Sequence, residues 1–84
     1  MSKAQARLEK QITRAEGEIA ELESRLKHRE QELTDPVVYA DQDRWHTLHL
    51  EQTQWKSELE RLTARWSAWS EELETVKQKL GVAG

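Results

Sequence analysis

The feature that most constrains this chain is the spacing of its apolar residues, which recur at alternating intervals of three and four. In the first half of the chain the repeated positions are Leu8, Ile12, Ala15, Ile19, Leu22, Leu26, Arg29 and Leu33. In the second half they are Trp45, Leu48, Gln52, Trp55, Leu59, Leu62, Trp66, Trp69, Leu73, Val76 and Leu80. A mean spacing of about 3.5 residues keeps one seam of a helix facing a partner helix. The spacing therefore predicts two long helices packed along one seam.

The repeat is interrupted once, around the only proline of the chain. Pro36 lacks a backbone N–H and disfavours helical backbone at Asp35, which predicts that the first helix ends just before this point. We therefore expect a first helix over about residues 3–33, a loop over residues 34–41 and a second helix over about residues 42–80. A loop this short lets the two helices fold back on each other. The predicted fold is all-α, a single domain formed by a two-helix antiparallel coiled-coil hairpin.

The seam residues also predict how the two helices align. One antiparallel alignment pairs Arg29 with Gln52, so the only two polar seam positions meet. The same alignment places the small Ala15 opposite Trp66, as close packing requires. A shift by one heptad would place Gln52 on Leu22, which is a poorer match. Charged pairs beside the seam are expected to support the first alignment: Glu18 with Arg65, Arg25 with Glu58, Glu23 with Lys56, and Glu30 with His49, against one like-charged pair, Glu32 with Glu51.

Composition removes most other classes of protein. With 36% hydrophobic and 35% charged residues and a mean hydropathy of -0.96, the chain has too little apolar material for a broad core. It has no cysteine, no Gly-rich phosphate loop and no nucleophile or zinc-protease motif, so we expect no catalytic site and no bound cofactor. No apolar run is long enough for a membrane span or a secretory signal, which predicts a cytoplasmic protein without a membrane partner.

The histidines suggest a metal site and the tryptophans suggest base stacking, but their positions favour other roles. His28, His46 and His49 fall near the loop end of the hairpin, but no further ligands converge there, which favours solvated histidines over a metal site. Tryptophans alternate with cations, as in proteins that stack the bases of single-stranded nucleic acid. All four tryptophans occupy seam positions, which favours a role in the core. Trp45 lies beyond the last paired layer, where we expect it to cap the loop with residues 37–39.

The strongest functional signal is a row of cations at the start of the first helix. The first fourteen residues carry a net charge of +3, whereas the remaining seventy carry -6. On the outward face the row extends over about 16 Å. Its members are Lys3, Arg7, Lys10 and Arg14, and the hairpin brings two more cations to the same end, Lys77 and Lys79. Such a row suits backbone phosphates without reading base sequence. An ordinary solvated helix face has the same composition and is the alternative.

A resemblance to a known family rests on the loop and one point of the second helix. The segment Leu33-Thr34-Asp35-Pro36-Val37-Val38-Tyr39 and the pair Arg65-Trp66 resemble the C-terminal coiled-coil domain of ABC-F ATP-binding proteins. That domain has a helix rich in Leu-Glu pairs, a Leu-x-Asp-Pro-x-x-Tyr loop and a second helix containing Arg-Trp-Glu-x-Leu-Glu. The likeness covers roughly residues 6–79, and the chain departs from the pattern at Ser67 and Trp69.

This resemblance implies a non-catalytic terminal module of a larger cytoplasmic ATPase that acts on ribosomes or nucleic acid. ATP and magnesium are expected for the parent protein, and none of its nucleotide-binding residues lie in this sequence. The domain is associated with nucleic-acid binding in that family. Together with the row of cations, it predicts contacts with the phosphates of DNA or ribosomal RNA.

Two other functions stay open at this point. The first is a structural hairpin that docks on a partner protein or on the ATPase cassettes of its own parent. The second is the tRNA-contacting hairpin of an aminoacyl-tRNA synthetase, which the Asp-Pro-x-x-Tyr loop disfavours. A monomer is expected, because Pro36 and the Arg29–Gln52 layer favour a closed hairpin over an intermolecular bundle.

Overall fold

Two long antiparallel helices form nearly the whole molecule. A computed structural model describes residues 2–80 and contains α1 (Lys3–Leu33), α2 (Pro36–Tyr39) and α3 (Gln42–Lys79). The long helices α1 and α3 pack side by side in a rod of 61 × 16 × 15 Å. The predicted all-α, two-helix antiparallel hairpin is therefore confirmed.

Side-chain caps set where the two long helices begin. The Ser2 hydroxyl oxygen accepts a hydrogen bond from the backbone N–H of Gln5, at 3.0 Å. An Asp41 carboxylate oxygen accepts one from the backbone N–H of Arg44, at 3.2 Å. Each cap satisfies a backbone N–H that has no partner within its own helix. The polar residues just before each apolar repeat thus start the helices where the seam needs them.

The connection between the long helices contains a one-turn helix, α2, where the sequence predicts only a loop. The Asp35 carboxylate accepts a hydrogen bond from the backbone N–H of Val37, at 2.9 Å, and Pro36 is the first helical residue. Proline suits that position because its fixed φ is already helical and its missing N–H would have no partner there. The turn carries Val38 into the core, where the residue is 5% exposed, and leaves Val37 and Tyr39 in solvent.

The core is a single seam in which the residues of α1 are more deeply buried than those of α3. On α1 the buried seam positions are Leu8, Ala15, Leu22, Arg29 and Leu33. On α3 only Gln52 is buried, and the four tryptophans are half-buried. One partner helix is too narrow to cover an indole ring completely, whereas the smaller residues beneath the rings are closed off. The seam positions of the tryptophans therefore agree with their predicted role in the core.

The contacts between the helices give the predicted alignment. Arg29 contacts α3 on both sides of Gln52: its guanidinium donates to the Leu48 carbonyl at 2.9 Å and lies 4.5 Å from the centre of the Trp55 ring. Farther along the rod, the Trp66 indole N–H donates to a Glu16 carboxylate oxygen at 3.2 Å, directly beside Ala15. The two polar seam residues therefore share one layer, as the sequence predicts.

The charged pairs beside the seam differ from the prediction. Within residues 2–80, none of the four predicted pairs between the helices comes within ion-pair distance. Glu18 instead approaches Arg14, at 3.8 Å, and Arg25 pairs with Glu21 at 2.7 Å, both within α1. Residues four apart on a helix are neighbours, so a partner on the same helix competes with one across the seam. His49, the fourth predicted partner, stacks on a tryptophan ring.

Candidate nucleic-acid interface

All six predicted site residues are exposed at one end of the rod. Four lie on the first half of α1 and two in the last turn of α3, and the antiparallel packing brings these segments together: Lys3, Arg7, Lys10, Arg14, Lys77 and Lys79. We call these residues the basic end. Among the described residues, the one carboxylate within ion-pair distance of the basic end is Glu18, 3.8 Å from Arg14. That arginine side chain is still 83% exposed.

The basic end is placed against the local preference of α1. A helix N-terminus carries partial positive charge, which favours acidic residues in the first turn and disfavours cations there. The first turn of α1 has no acidic residue, and Lys3 is its first residue. The caps and the seam, rather than these charges, therefore hold this end of the helix together.

A shallow groove between the helices continues from Arg14 toward the middle of the rod. It consists of two hollows of about 260 Å³ and 450 Å³, which share Glu18, Leu62 and Arg65 as lining residues. Four arginines line the two hollows, Arg14, Arg25, Arg61 and Arg65, together with three glutamates, Glu18, Glu21 and Glu58. We call this feature the arginine groove. It connects the basic end on α1 with cations on α3.

The cations of the arginine groove differ in how far carboxylates engage them. The pairs within α1 occupy Arg14 and Arg25. Arg61 donates a hydrogen bond to the neutral Ser57 hydroxyl at 3.3 Å, and no carboxylate of residues 2–80 lies within ion-pair distance of Arg61 or Arg65. Neither arginine was among the site residues predicted from the sequence. Heptad numbering from the Trp66 seam position places both on the Arg14 side of the seam, which is the signal that identifies them.

Arg29 is a buried cation that contributes to the fold and not to a binding surface. The residue is 8% exposed, and its guanidinium donates to Glu32 at 3.0 Å and to Glu51 at 2.8 Å. The like-charged pair predicted from the sequence is thus bridged by one arginine. Burial opposes the charge on Arg29, but the hydrogen bonds to Glu51 and Glu32 outweigh it, so its pKa is raised above the ordinary value. Arg29 therefore stays charged and is closed to an outside ligand.

The aromatic side chains at the loop end are engaged with each other. The Trp45 indole N–H donates to the Leu33 carbonyl at 3.1 Å, and its ring stacks on His49 with centroids 4.9 Å apart. Tyr39 meets the Trp45 ring edge-on, at 6.4 Å. Trp45 thus caps the loop as predicted, with Val38 buried beneath the turn. Because His49 covers a face of the indole, this arrangement gives little support to base stacking on Trp45.

Metal and membrane sites do not emerge from the described part of the chain. No group of three His, Asp or Glu side chains within residues 2–80 is disposed to hold a metal ion. No helix in that range is long and apolar enough to cross a membrane.

Comparison with known proteins identifies the family. The family model of the ABC transporter C-terminal domain matches residues 2–71, which span α1, α2 and most of α3. The chain belongs to this family of C-terminal domains of ABC proteins, and it is a non-catalytic module of such a protein. A search of curated proteins and a search of solved structures each found no significant match to the chain.

Proposed function

We propose that this domain binds nucleic acid through the phosphate backbone, with the basic end as the contact surface. The observation that carries the proposal is the row of exposed cations on α1, which includes Arg7 and Lys10. Neither side chain has a carboxylate within ion-pair distance among the described residues, and both are exposed. Exposed cations without a carboxylate partner are available to an anionic ligand.

Phosphate contacts of this kind give sequence-tolerant and salt-dependent binding. Each neutralised phosphate of duplex DNA adds about -0.9 to the slope of log affinity against log salt. Four to six contacts at the basic end therefore predict a slope of about -4 to -5. Between 50 and 200 mM salt the affinity is expected to fall by about a hundredfold to a thousandfold.

A fluorescence anisotropy titration with duplex DNA, single-stranded DNA and structured RNA tests the proposal. The double variant Arg7→Glu/Lys10→Glu is expected to abolish binding at 50 mM salt. The matched control Lys27→Glu/Lys56→Glu makes the same change in net charge at exposed positions away from the basic end, and it is expected to keep most of the affinity. Equal losses in the two variants would mean that binding follows net charge, and no binding by the wild-type chain would refute the proposal.

For the parent protein we propose an ABC-F type ATPase that works in the cytoplasm on ribosomes or nucleic acid. The Asp35-Pro36-x-x-Tyr39 loop and the Arg65-Trp66 pair support this subtype within the family. ATP and magnesium would bind elsewhere in the parent, because the present sequence contains no Gly-rich phosphate loop. Adding magnesium and ATP to this domain is therefore expected to leave its melting temperature unchanged.

A second candidate function is docking on a protein, and the loop end favours it. Val37 is 72% exposed and Tyr39 is 69% exposed, and Tyr39 lines a hollow of about 700 Å³ together with Trp45. Exposed apolar side chains of this kind occur at protein interfaces. Binding to the ATPase cassettes of the parent that is lost in Val37→Ser/Tyr39→Ser, but kept in Arg7→Glu/Lys10→Glu, would favour this function.

We also propose that the isolated domain is a monomer. The buried Arg29 has its hydrogen-bond partners, Glu32, Glu51 and the Leu48 carbonyl, within one chain, so no second copy is needed to satisfy it. Light scattering at several protein concentrations tests this, and a mass of twice 9.9 kDa would contradict it.

A further inference from the structure

We infer that nucleic acid lies lengthwise along one side of the rod and crosses from α1 to α3, where Arg61 and Arg65 contact its phosphates. The inference rests on the proposed function and deepens it by assigning two contact residues outside the basic end. It also assigns a side: the flank of the seam that carries the arginine groove binds the backbone, and the opposite flank does not.

The arginine groove is continuous with the basic end. Arg14, a member of the basic end, lines the same hollow as Arg65, and Arg65 also lines the next hollow with Arg61. A polyanion on the basic end therefore meets further guanidiniums in the adjoining groove. From Arg7 to Arg25 this track covers about 27 Å of helix, or about eight phosphates of one strand.

Arg61 and Arg65 have no carboxylate within ion-pair distance among residues 2–80. Glu18 and Glu21 pair within α1 rather than across the seam, which leaves Arg65 without its predicted partner. Arg61 contacts only the neutral Ser57 hydroxyl among the hydrogen bonds of residues 2–80. A planar guanidinium offers paired donors that match two phosphate oxygens. Both side chains are exposed and able to make such contacts.

On the opposite flank the α1 edge carries carboxylates and no cation, whereas the arginine groove has four arginines against three glutamates. Along that edge of α1 every seventh residue is acidic, in the series Glu9, Glu16, Glu23 and Glu30. A row of negative charges along one edge repels a polyanion. Heptad numbering places Lys77 on that acidic flank and Lys79 on the flank of the arginine groove. Of the six cations of the basic end, Lys77 alone lies on the acidic flank and is left out of this contact, so the two lysines of the last turn distinguish the flanks experimentally.

The test measures duplex DNA binding by the whole 84-residue chain with both α3 arginines neutralised. Arg61→Gln/Arg65→Gln is expected to weaken binding about tenfold and to make the salt slope shallower by about two. The matched control Lys27→Gln/Lys56→Gln removes the same charge from the acidic flank and is expected to change affinity less than twofold. Lys79→Gln is expected to weaken binding more than Lys77→Gln does.

Two further measurements keep the result interpretable. Circular dichroism at 222 nm checks that each variant is folded, and Arg61→Lys/Arg65→Lys is expected to recover most of the lost affinity. If the glutamine pair binds like wild type while Arg7→Glu/Lys10→Glu does not bind, the inference is overturned and the proposed function stands. If the wild-type chain binds none of duplex DNA, single-stranded DNA and structured RNA at 50 mM salt, both are overturned.

Discussion

The two halves of the rod are held together by different kinds of contact. In the half that includes the loop, polar groups with fixed geometry join the helices: Arg29 makes three interactions with α3, and the Trp45 indole N–H donates to the Leu33 carbonyl. In the half that includes the termini, apolar residues such as Leu8 and Ala15 close the seam, at 2% exposure each, and the Trp66 indole N–H donates one hydrogen bond across it to Glu16. The buried charge that fixes the alignment therefore lies toward the loop, and the exposed cations of the basic end are available for binding.

The largest expected effect on stability comes from Arg29→Ala, in the half of the rod that includes the loop. Truncation leaves Glu32, Glu51 and the Leu48 carbonyl without their shared donor, although both carboxylates are partly exposed and can reach water. We expect the free energy of unfolding to fall by about 3 kcal/mol. Thermal unfolding followed by circular dichroism measures the loss. As a control, Arg25→Ala removes an exposed pair and is expected to cost under about 0.5 kcal/mol.

Replacing the whole polar layer is expected to have a smaller effect of opposite sign. In Arg29→Leu/Gln52→Leu, apolar packing replaces a buried charge, and stability is expected to rise by about 1–2 kcal/mol. The gain comes with a loss of specificity, because a uniform seam allows shifted alignments and association between chains. Light scattering would then detect oligomers. A double variant that stays a monomer with unchanged contacts would show that the loop alone sets the alignment.

Removal of one hydrogen bond tests the other polar contact of the loop half. Trp45→Phe keeps an aromatic ring against Tyr39 and His49 but leaves the Leu33 carbonyl without the indole donor. We expect a loss of about 1 kcal/mol. Chemical denaturation monitored by circular dichroism is suitable, and an unchanged midpoint would assign the role of Trp45 to packing alone.

The smallest expected effect belongs to the terminal half. Neutralising the four α1 cations of the basic end with glutamine is expected to change the free energy of unfolding by less than about 0.5 kcal/mol. The sign is expected to be stabilising, because cations near a helix N-terminus oppose its dipole. Comparing melting curves at low and high salt checks this. A marked loss of stability would mean that these cations belong to the fold.

Sequence reasoning reached the backbone and the alignment but not the side-chain partners. The heptads predict both long helices, and the meeting of Arg29 with Gln52 selects the register, because burying an unmatched polar residue is costly. The pairing of Arg25 with Glu21 rather than Glu58 was not predictable in the same way. Exposed partners on the same helix and across the seam differ by only a few tenths of a kcal/mol, which spacing cannot resolve.

Two other features had a readable signal that the sequence analysis did not use. Asp35 followed by Pro36 is a capping residue before a favoured first helical residue, and this pair predicts the short helix α2. Numbering α3 by heptads separates Arg61 and Arg65 from Lys56 and thereby indicates the arginine groove. The bridging of two glutamates by Arg29 could not be predicted from spacing, because it depends on the conformation of a long side chain within one layer.

The layer formed by Arg29 and Gln52 also fixes the reach of the molecule. Since the helices cannot slide past each other without separating these buried groups, the loop and the basic end are kept at opposite ends of a 61 Å rod. The distance between the two ends is therefore set by the number of heptads in each long helix. Removing one heptad from each long helix is expected to bring the two ends closer by about 10 Å while preserving every pairing on either side.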